Sequence, residues 1–216
     1  MSNEKEIRSF NFEIRAEKVE RGNIVTGLAI VYDSPYDNGS WTEYIDRGAL
    51  ENCDLRDVRL LVNHNTDMIP LARSRNNTPN STMQLRHIPE KGLEIEALLD
   101  TERNSDARTL YSATERGDIS GMSFMFVVDE DKWEDLDTEH PTRHIRSIKR
   151  VLEVSAVTFP CYEATTFENR DVFALESADA VLESAKHEYR MKVEAEQQKR
   201  REIERQKQRI RILADL

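Results

Sequence analysis

Cysteine, glycine and proline are scarce in this sequence of 216 residues, and it contains no long apolar run. Only Cys53 and Cys161 are present, too few for a disulfide framework, so we expect free thiols in a reducing compartment. No apolar run could span a bilayer, and the polar start of the chain predicts no secretory signal. The composition excludes disulfide-rich secreted domains and helical membrane proteins.

Acidic side chains outnumber basic ones in most of the chain. Residues 176–216 hold 10 of the 31 Lys and Arg and 9 of the 41 Asp and Glu, which leaves 21 basic and 32 acidic side chains in residues 1–175. Because a nucleic-acid surface needs clustered positive charge, the acidic body argues against nucleic acid as the main partner. Length and composition predict a domain at 1–170 and a helical charged tail at 171–216.

The tail has the composition of a helix. Residues 176–216 contain no glycine or proline and are rich in Ala, Glu, Lys, Gln and Arg, which predicts one long helix or two. Apolar residues recur at one heptad position, but Glu196 interrupts the series and weakens a coiled-coil seam. Two interpretations stay open: a solvated helix, or a helix that docks on a partner or on another copy.

The rest of the chain alternates between short apolar strands and turns. Ile7–Ala16 alternates apolar and polar residues, which predicts a half-buried strand. Val151–Phe159 is rich in β-branched residues, which predicts a central strand of the sheet. Thr82–His87 and Leu93–Leu98 predict a hairpin, and Asp100–Gly117 predicts a helix. We expect nine or ten strands with one or two helices: a mostly antiparallel sheet, closed as a barrel or a sandwich.

One apolar strand ends in a histidine that stands out. Leu60–Val62 reads as a buried strand, and Asn63, His64 and Asn65 follow it directly. His64 is therefore expected at the rim of the core, where the fold holds a side chain in position and the side chain is still accessible from solvent. Histidine titrates near neutral pH, which suits proton transfer, but a structural or solvated histidine would give the same pattern.

Two further residues could complete a catalytic group with this histidine. Ser123 starts a strand among large apolar neighbours, so His64 could activate it as a nucleophile, or it could simply fill a tight position. Glu153 lies inside an apolar strand, where a carboxylate needs a partner. Arg73 or Arg146 could be that partner, or Glu153 could orient His64 as the acid of a triad.

Other candidates for chemistry are weaker. His140 and His144 have a metal-like spacing, but the proline between them breaks the helix that this spacing needs. Cys161 could act as a thiol nucleophile beside His64, although a small buried cysteine is the simpler interpretation. We find no phosphate-binding loop and no nucleophile-elbow or zinc-protease motif, and we expect neither a cofactor nor a metal.

Six ordered segments resemble the tailed-phage prohead serine proteases over residues 10–165. They are Gly27–Ala29 with Tyr32, Tyr44–Leu50, Leu60–Asn65, Gly92–Ile95, Ile119–Phe124 and Leu152–Pro160. The resemblance implies an α+β fold, an assemblin-like antiparallel β-barrel with peripheral helices. It also implies a serine endopeptidase in which His64 and Ser123 match the family's catalytic histidine and serine, and Glu153 lies in the segment of the last catalytic position.

The resemblance further implies a role in capsid maturation. Such enzymes cut the scaffold protein, or the scaffold-like segment of the major capsid protein, and usually themselves, inside the immature capsid in the host cytoplasm. A homo-oligomer is compatible with it. Asn65, Ala72, Met125 and Cys161 depart from the family's usual residues, and none of them removes a proposed catalytic group. The alternative is a non-enzymatic capsid assembly protein with a barrel and a partner-binding helix.

Overall fold

The computed structural model describes residues 5–10, 14–159 and 172–214, and it describes the side chains of the last segment from 180 to 210. Eleven strands and two α-helices follow one another in these residues: β1 (Glu6–Phe10), β2 (Ile14–Val19), β3 (Gly22–Val31), β4 (Tyr36–Asp37), β5 (Thr42–Ile45), β6 (Arg59–Val62), β7 (Ala72–Arg73), β8 (Met83–Ile88), β9 (Gly92–Leu99), α1 (Ser105–Glu115), β10 (Gly121–Glu134), β11 (Thr142–Val157) and α2 (Val172–Ala214). The predicted mostly β class with peripheral helices is confirmed.

The strands form two sheets. The first has the order β1-β10-β11-β5-β4, with β6 added on β11 and β7 on β6, and the second has the order β2-β3-β9-β8. One core cluster joins them, with Val25 and Ile95 from the second sheet and Phe124 and Val154 from the first. Among the described residues the sheets are not closed into the expected barrel, because each sheet ends in strands that have a single neighbour.

Strand β11 organises the first sheet, as its apolar sequence predicted. It pairs antiparallel with β10 on one side, and on the other side it pairs in parallel with β5 and then with β6. Parallel pairing was not expected, and it arises because long connections bring the chain back to the sheet in the same direction. The ends of β6 and β11 therefore meet, and β10 lies across β11 from β6.

Several local predictions are confirmed and one is wrong. Strands β8 and β9 form the predicted hairpin. Gly92 begins β9 at φ +136°, and a Cβ there would lie 2.0 Å from the Ile30 carbonyl oxygen, so only glycine fits. Helix α1 starts after Asn104, whose side chain caps it. The single strand expected at Ile7–Ala16 is instead β1 and β2, which belong to different sheets.

Helix α2 confirms the helical prediction for the tail. Leu182 is buried near its start and packs against Trp41, Trp133 and Leu136. Further along, apolar side chains such as Ile203 are exposed. In the part of the chain that the structure describes, no helix is both long enough and apolar enough to cross a membrane. The division into a domain at 1–170 and a tail at 171–216 stays a prediction.

Candidate active site

The turn after β6 holds His64 in an unusual backbone conformation. Asn63 and His64 have φ angles of 49° and 55°, in the left-handed region that residues other than glycine seldom adopt. The Asn63 side chain accepts a hydrogen bond from the Thr158 N–H (2.9 Å) and donates one to Thr158 Oγ1 (2.9 Å). The Asn63 N–H donates to the Ala156 carbonyl (3.0 Å). These bonds hold a strained turn of the kind that clusters at functional sites.

Ser123 lies across β11 from this turn. It is the third residue of β10, opposite Ser155 of β11, and its side chain is fully buried. His64 reaches over β11 so that its Nε2 lies 2.6 Å from Ser123 Oγ. The two residues are 59 positions apart in sequence, and β11 brings them together because it lies between β6 and β10.

Glu153 approaches the other nitrogen of the imidazole. This buried carboxylate on β11 places Oε1 2.5 Å from His64 Nδ1. Its Oε2 accepts a hydrogen bond from Ser155 Oγ (2.6 Å), and Ser155 Oγ in turn accepts one from the His64 N–H (3.1 Å). Both carboxylate oxygens therefore have a partner, which offsets the cost of burying the group.

Ser123, His64 and Glu153 thus form one continuous chain of hydrogen bonds. When His64 Nδ1 carries the proton and donates it to Glu153, Nε2 is free to accept the hydroxyl proton of Ser123. The carboxylate then faces the positive charge that develops on the ring. This arrangement can perform nucleophilic attack on a carbonyl with general-base assistance.

The arginines considered as structural partners of Glu153 bind elsewhere. Arg73 donates two hydrogen bonds to Asp57 (2.6 and 2.9 Å). Arg146 lies 3.9 Å from Glu130. In the described part of the chain, His64 is the partner that the Glu153 carboxylate has outside β11.

The two histidines considered as metal ligands do not join this group. His144 contacts Asp46 (2.8 Å) and His140 contacts Thr42 (2.9 Å). No group of three or more His, Cys, Asp and Glu side chains within the described ranges is placed to hold a metal ion. Cys161, the rival nucleophile, lies outside the described residues.

Sequence reasoning missed the strand that covers Ser123. Ser9 of β1 lies directly opposite Ser123, and its Oγ donates to Ser123 Oγ (2.7 Å). The Arg8 carbonyl oxygen lies 2.8 Å from the same Oγ. The alternating pattern predicted a strand here but not its neighbour, because the pairing joins residues 114 positions apart.

A buried ionic cluster anchors β1 from the other face. Arg8 donates to both carboxylate oxygens of Glu43 (2.5 and 2.8 Å), and Arg143 bridges Glu43 (3.0 Å) and Glu6 (2.6 Å). Burial alone would lower the pKa of Arg8, but Glu43 and Glu6 outweigh burial and raise that pKa. Burial alone would raise the pKa of Glu6, but Arg8 and Arg143 bring it below its ordinary value.

Comparison with known proteins identifies one family. The family model for the caudovirus prohead serine protease matches residues 10–181, most of the chain. Neither curated proteins nor solved structures gave a match. The matched range includes His64, Ser123 and Glu153.

Proposed function

Because this chain belongs to the caudovirus prohead serine protease family, we propose that it hydrolyses peptide bonds with Ser123, His64 and Glu153 as its catalytic residues. Membership makes it a serine peptidase of phage capsid maturation. The observation that carries the residue assignment is the hydrogen-bond chain of 2.6 Å from Ser123 to His64 and 2.5 Å from His64 to Glu153.

The first half of the reaction is acylation. Ser123 Oγ attacks the scissile carbonyl carbon while His64 Nε2 takes the hydroxyl proton, giving a tetrahedral intermediate and an imidazolium. Glu153 stabilises the imidazolium through Nδ1. His64 then returns the proton to the leaving amine, the C–N bond breaks, and Ser123 remains as an ester with the acyl part of the substrate.

The second half is deacylation by water. His64 accepts a proton from water, whose oxygen attacks the ester carbonyl. Collapse of the second tetrahedral intermediate breaks the bond to Ser123 Oγ, and His64 returns the proton to that oxygen. The acid product leaves and the resting triad is restored.

The substrates that we propose are capsid assembly proteins. Family membership implies capsid proteins as substrates inside the phage capsid. We propose more specifically the scaffold protein or the scaffold-like segment of the major capsid protein, together with the chain itself. On this proposal the enzyme works in the immature capsid within the host cytoplasm.

Replacement of the proposed nucleophile tests the assignment. Ser123→Ala, co-expressed with the capsid protein, should lower cleavage by about 10⁴-fold or more, because a triad acts as a unit. Mass spectrometry of the capsid protein measures this. Ser120→Ala, three residues away and exposed, is the matched control and should cut like the parent. Equal cleavage by Ser123→Ala and the parent would refute the role of Ser123.

Two further measurements separate the alternatives. A fluorophosphonate should label Ser123, whereas an assembly protein without an activated hydroxyl would stay unlabelled. The Cys161→Ala chain should cleave as fully as the parent. Loss of cleavage in this variant would favour Cys161 as the nucleophile.

A further inference from the structure

Strand β1 lies over the proposed nucleophile at the edge of the first sheet. It pairs antiparallel with β10 and sets Ser9 opposite Ser123. The Ser123 side chain is 0% exposed, and Ser9 Oγ and the Arg8 carbonyl oxygen lie 2.7 and 2.8 Å from its Oγ. Reacting atoms must come within about 3–3.5 Å of each other before attack. A substrate and β1 therefore cannot occupy this position together.

The hydrogen bonds of Ser123 also put β1 in competition with His64. A serine hydroxyl has one proton to donate. Both the Arg8 carbonyl oxygen (2.8 Å) and His64 Nε2 (2.6 Å) are placed to receive it. While the proton points to Arg8, it is not transferred to the imidazole and general-base catalysis cannot begin.

The backbone of β1 has the placement of a bound peptide. An extended peptide commonly binds by adding a strand to the edge of a sheet. Strand β1 is the terminal strand beside β10, and it presents the carbonyl group of Arg8 to the nucleophile. A substrate added to β10 in the same register would present its own carbonyl group there.

The Arg8 side chain fills a closed pocket. It is 1% exposed and forms a two-pronged ion pair with Glu43. Its guanidinium carbon lies 5.2, 5.4 and 5.7 Å from the ring centres of Tyr36, Trp41 and Phe126. Aromatic faces together with a carboxylate recognise a guanidinium or an ammonium group.

We propose that the edge of β10 beside Ser123 binds an extended substrate peptide with arginine or lysine in the place of Arg8, and that β1 occupies this site until it is displaced. The proposal rests on the proposed function. When β1 leaves, Glu6 leaves with Arg8, and Glu43 keeps Arg143 at Oε2 but loses the Arg8 N–H donor at Oε1. Loss of a hydrogen-bond donor to a buried carboxylate oxygen is costly. A basic peptide residue restores the pair. The enzyme is thus held inactive by its own strand and activated by strand exchange.

Peptide binding tests the site without depending on catalysis. The probe is a fluorescent peptide with the sequence of residues 5–10, and the control peptide has glutamine in place of the arginine. Arg8→Gln in the Ser123→Ala chain weakens β1 and vacates the pocket. Fluorescence anisotropy measures both affinities. The double variant should bind the arginine peptide at least about tenfold more tightly than the Ser123→Ala chain binds it. The double variant should also bind the arginine peptide more tightly than it binds the glutamine peptide. Equal affinities in both comparisons would overturn the proposal.

A reversible lock tests the same idea in a chain with an intact triad. Ile7 and Met125 are directly opposite each other on β1 and β10, so Ile7→Cys with Met125→Cys can form a disulfide across the pair. Cys53 and Cys161 are replaced by alanine in this variant and in its control. Oxidation should slow fluorophosphonate labelling of Ser123 by about tenfold or more, and reduction should restore it. The control without the new cysteines should not respond.

The outcomes of the lock separate the two proposals. Equal labelling of the oxidised and reduced forms would show that β1 need not move, which overturns strand exchange even if Arg8→Gln does not fold. If neither form is labelled, and an Arg8→Gln chain with an intact triad and a weakened β1 is not labelled either, while the arginine peptide binds as expected, the proposed hydrolase fails and the peptide site stands.

Discussion

Ser155 forms hydrogen bonds with two members of the proposed triad, Glu153 and His64. Its hydroxyl donates to Glu153 Oε2 and accepts from the His64 N–H, and it is fully buried. Because its hydrogen bonds go to Glu153 and to the His64 backbone, we expect Ser155 to act through the orientation of these two residues. The Ser155 hydroxyl therefore fixes the position of the Glu153 carboxylate and of the turn that carries His64.

Loss of this hydroxyl should affect turnover more than binding. In Ser155→Ala, Glu153 loses a hydrogen bond and His64 loses its backbone anchor, so we expect kcat to fall about tenfold, or about 1.4 kcal/mol, with KM nearly unchanged. Steady-state kinetics on a peptide substrate measures both constants. Ser147→Ala on the same strand is the control. A purely structural serine would instead lower the thermal midpoint and leave kcat intact.

At the scale of the elements, β1 is held by charge as well as by backbone pairing. Arg8 and Glu6 of β1 meet Glu43 of β5 and Arg143 of β11 in a buried cluster. Apolar packing adds to this, since the Phe10 ring stacks near Phe124 at 6.1 Å. The charged part of this attachment depends on pH because Glu6 must stay ionised.

Acid should therefore weaken the attachment of β1. The folded chain has a Glu6 pKa below the ordinary value of 4.5, so this group stabilises the fold above about pH 4.5. That stabilisation is lost as the pH falls through the lower, folded pKa. Urea unfolding at pH 7 and pH 3 should show that the unfolding free energy of Glu6→Gln depends less on pH than that of the parent. At pH 7, Glu6→Gln should lower the unfolding free energy by about 3 kcal/mol. Exposed Glu90→Gln is the control, and identical pH dependence in all three chains would contradict the role of Glu6.

At the scale of the whole molecule, α2 is attached to the β body near its start. Leu182 is 6% exposed and joins Trp41, Trp133 and Leu136, and the Trp41 and Trp133 rings are 5.3 Å apart. Trp41 also lies over the guanidinium of Arg8. The helix therefore contacts the same aromatic cluster that lines the pocket of Arg8.

Truncation of the Leu182 side chain tests this contact between α2 and the β body. Leu182→Ala removes buried apolar area beside two tryptophans, so we expect a loss of about 2–3 kcal/mol in unfolding free energy and a change in tryptophan fluorescence. Chemical denaturation followed by fluorescence measures both. Met191→Ala, on an exposed part of α2, should change stability by less than about 0.5 kcal/mol. A Leu182→Ala chain as stable as the parent would rule out this packing.

The candidate residues could be named from local sequence, but their geometry could not. His64 is found because an apolar strand stops at a polar turn, and Glu153 because a carboxylate interrupts an apolar strand. Their separation along the chain is 89 positions, so only the pairing of β6 with β11 brings them within 2.5 Å. The left-handed backbone of Asn63 likewise depends on Thr158, which no local pattern indicates.

The sequence by itself determined the β-rich body, the helical tail and the β8–β9 hairpin, and it offered the three side chains proposed for catalysis as candidates. These follow from local periodicity, from turn residues, from the cost of burying an unpaired acid, and, for Ser123, from the resemblance to a protease family. Only the tertiary structure decided that the sheets stay open among the described residues, that β11 has parallel neighbours, and that β1 covers Ser123. Each of these depends on hydrogen bonds between strands far apart in the chain, whose pairing is set by which edges and buried charges fit together.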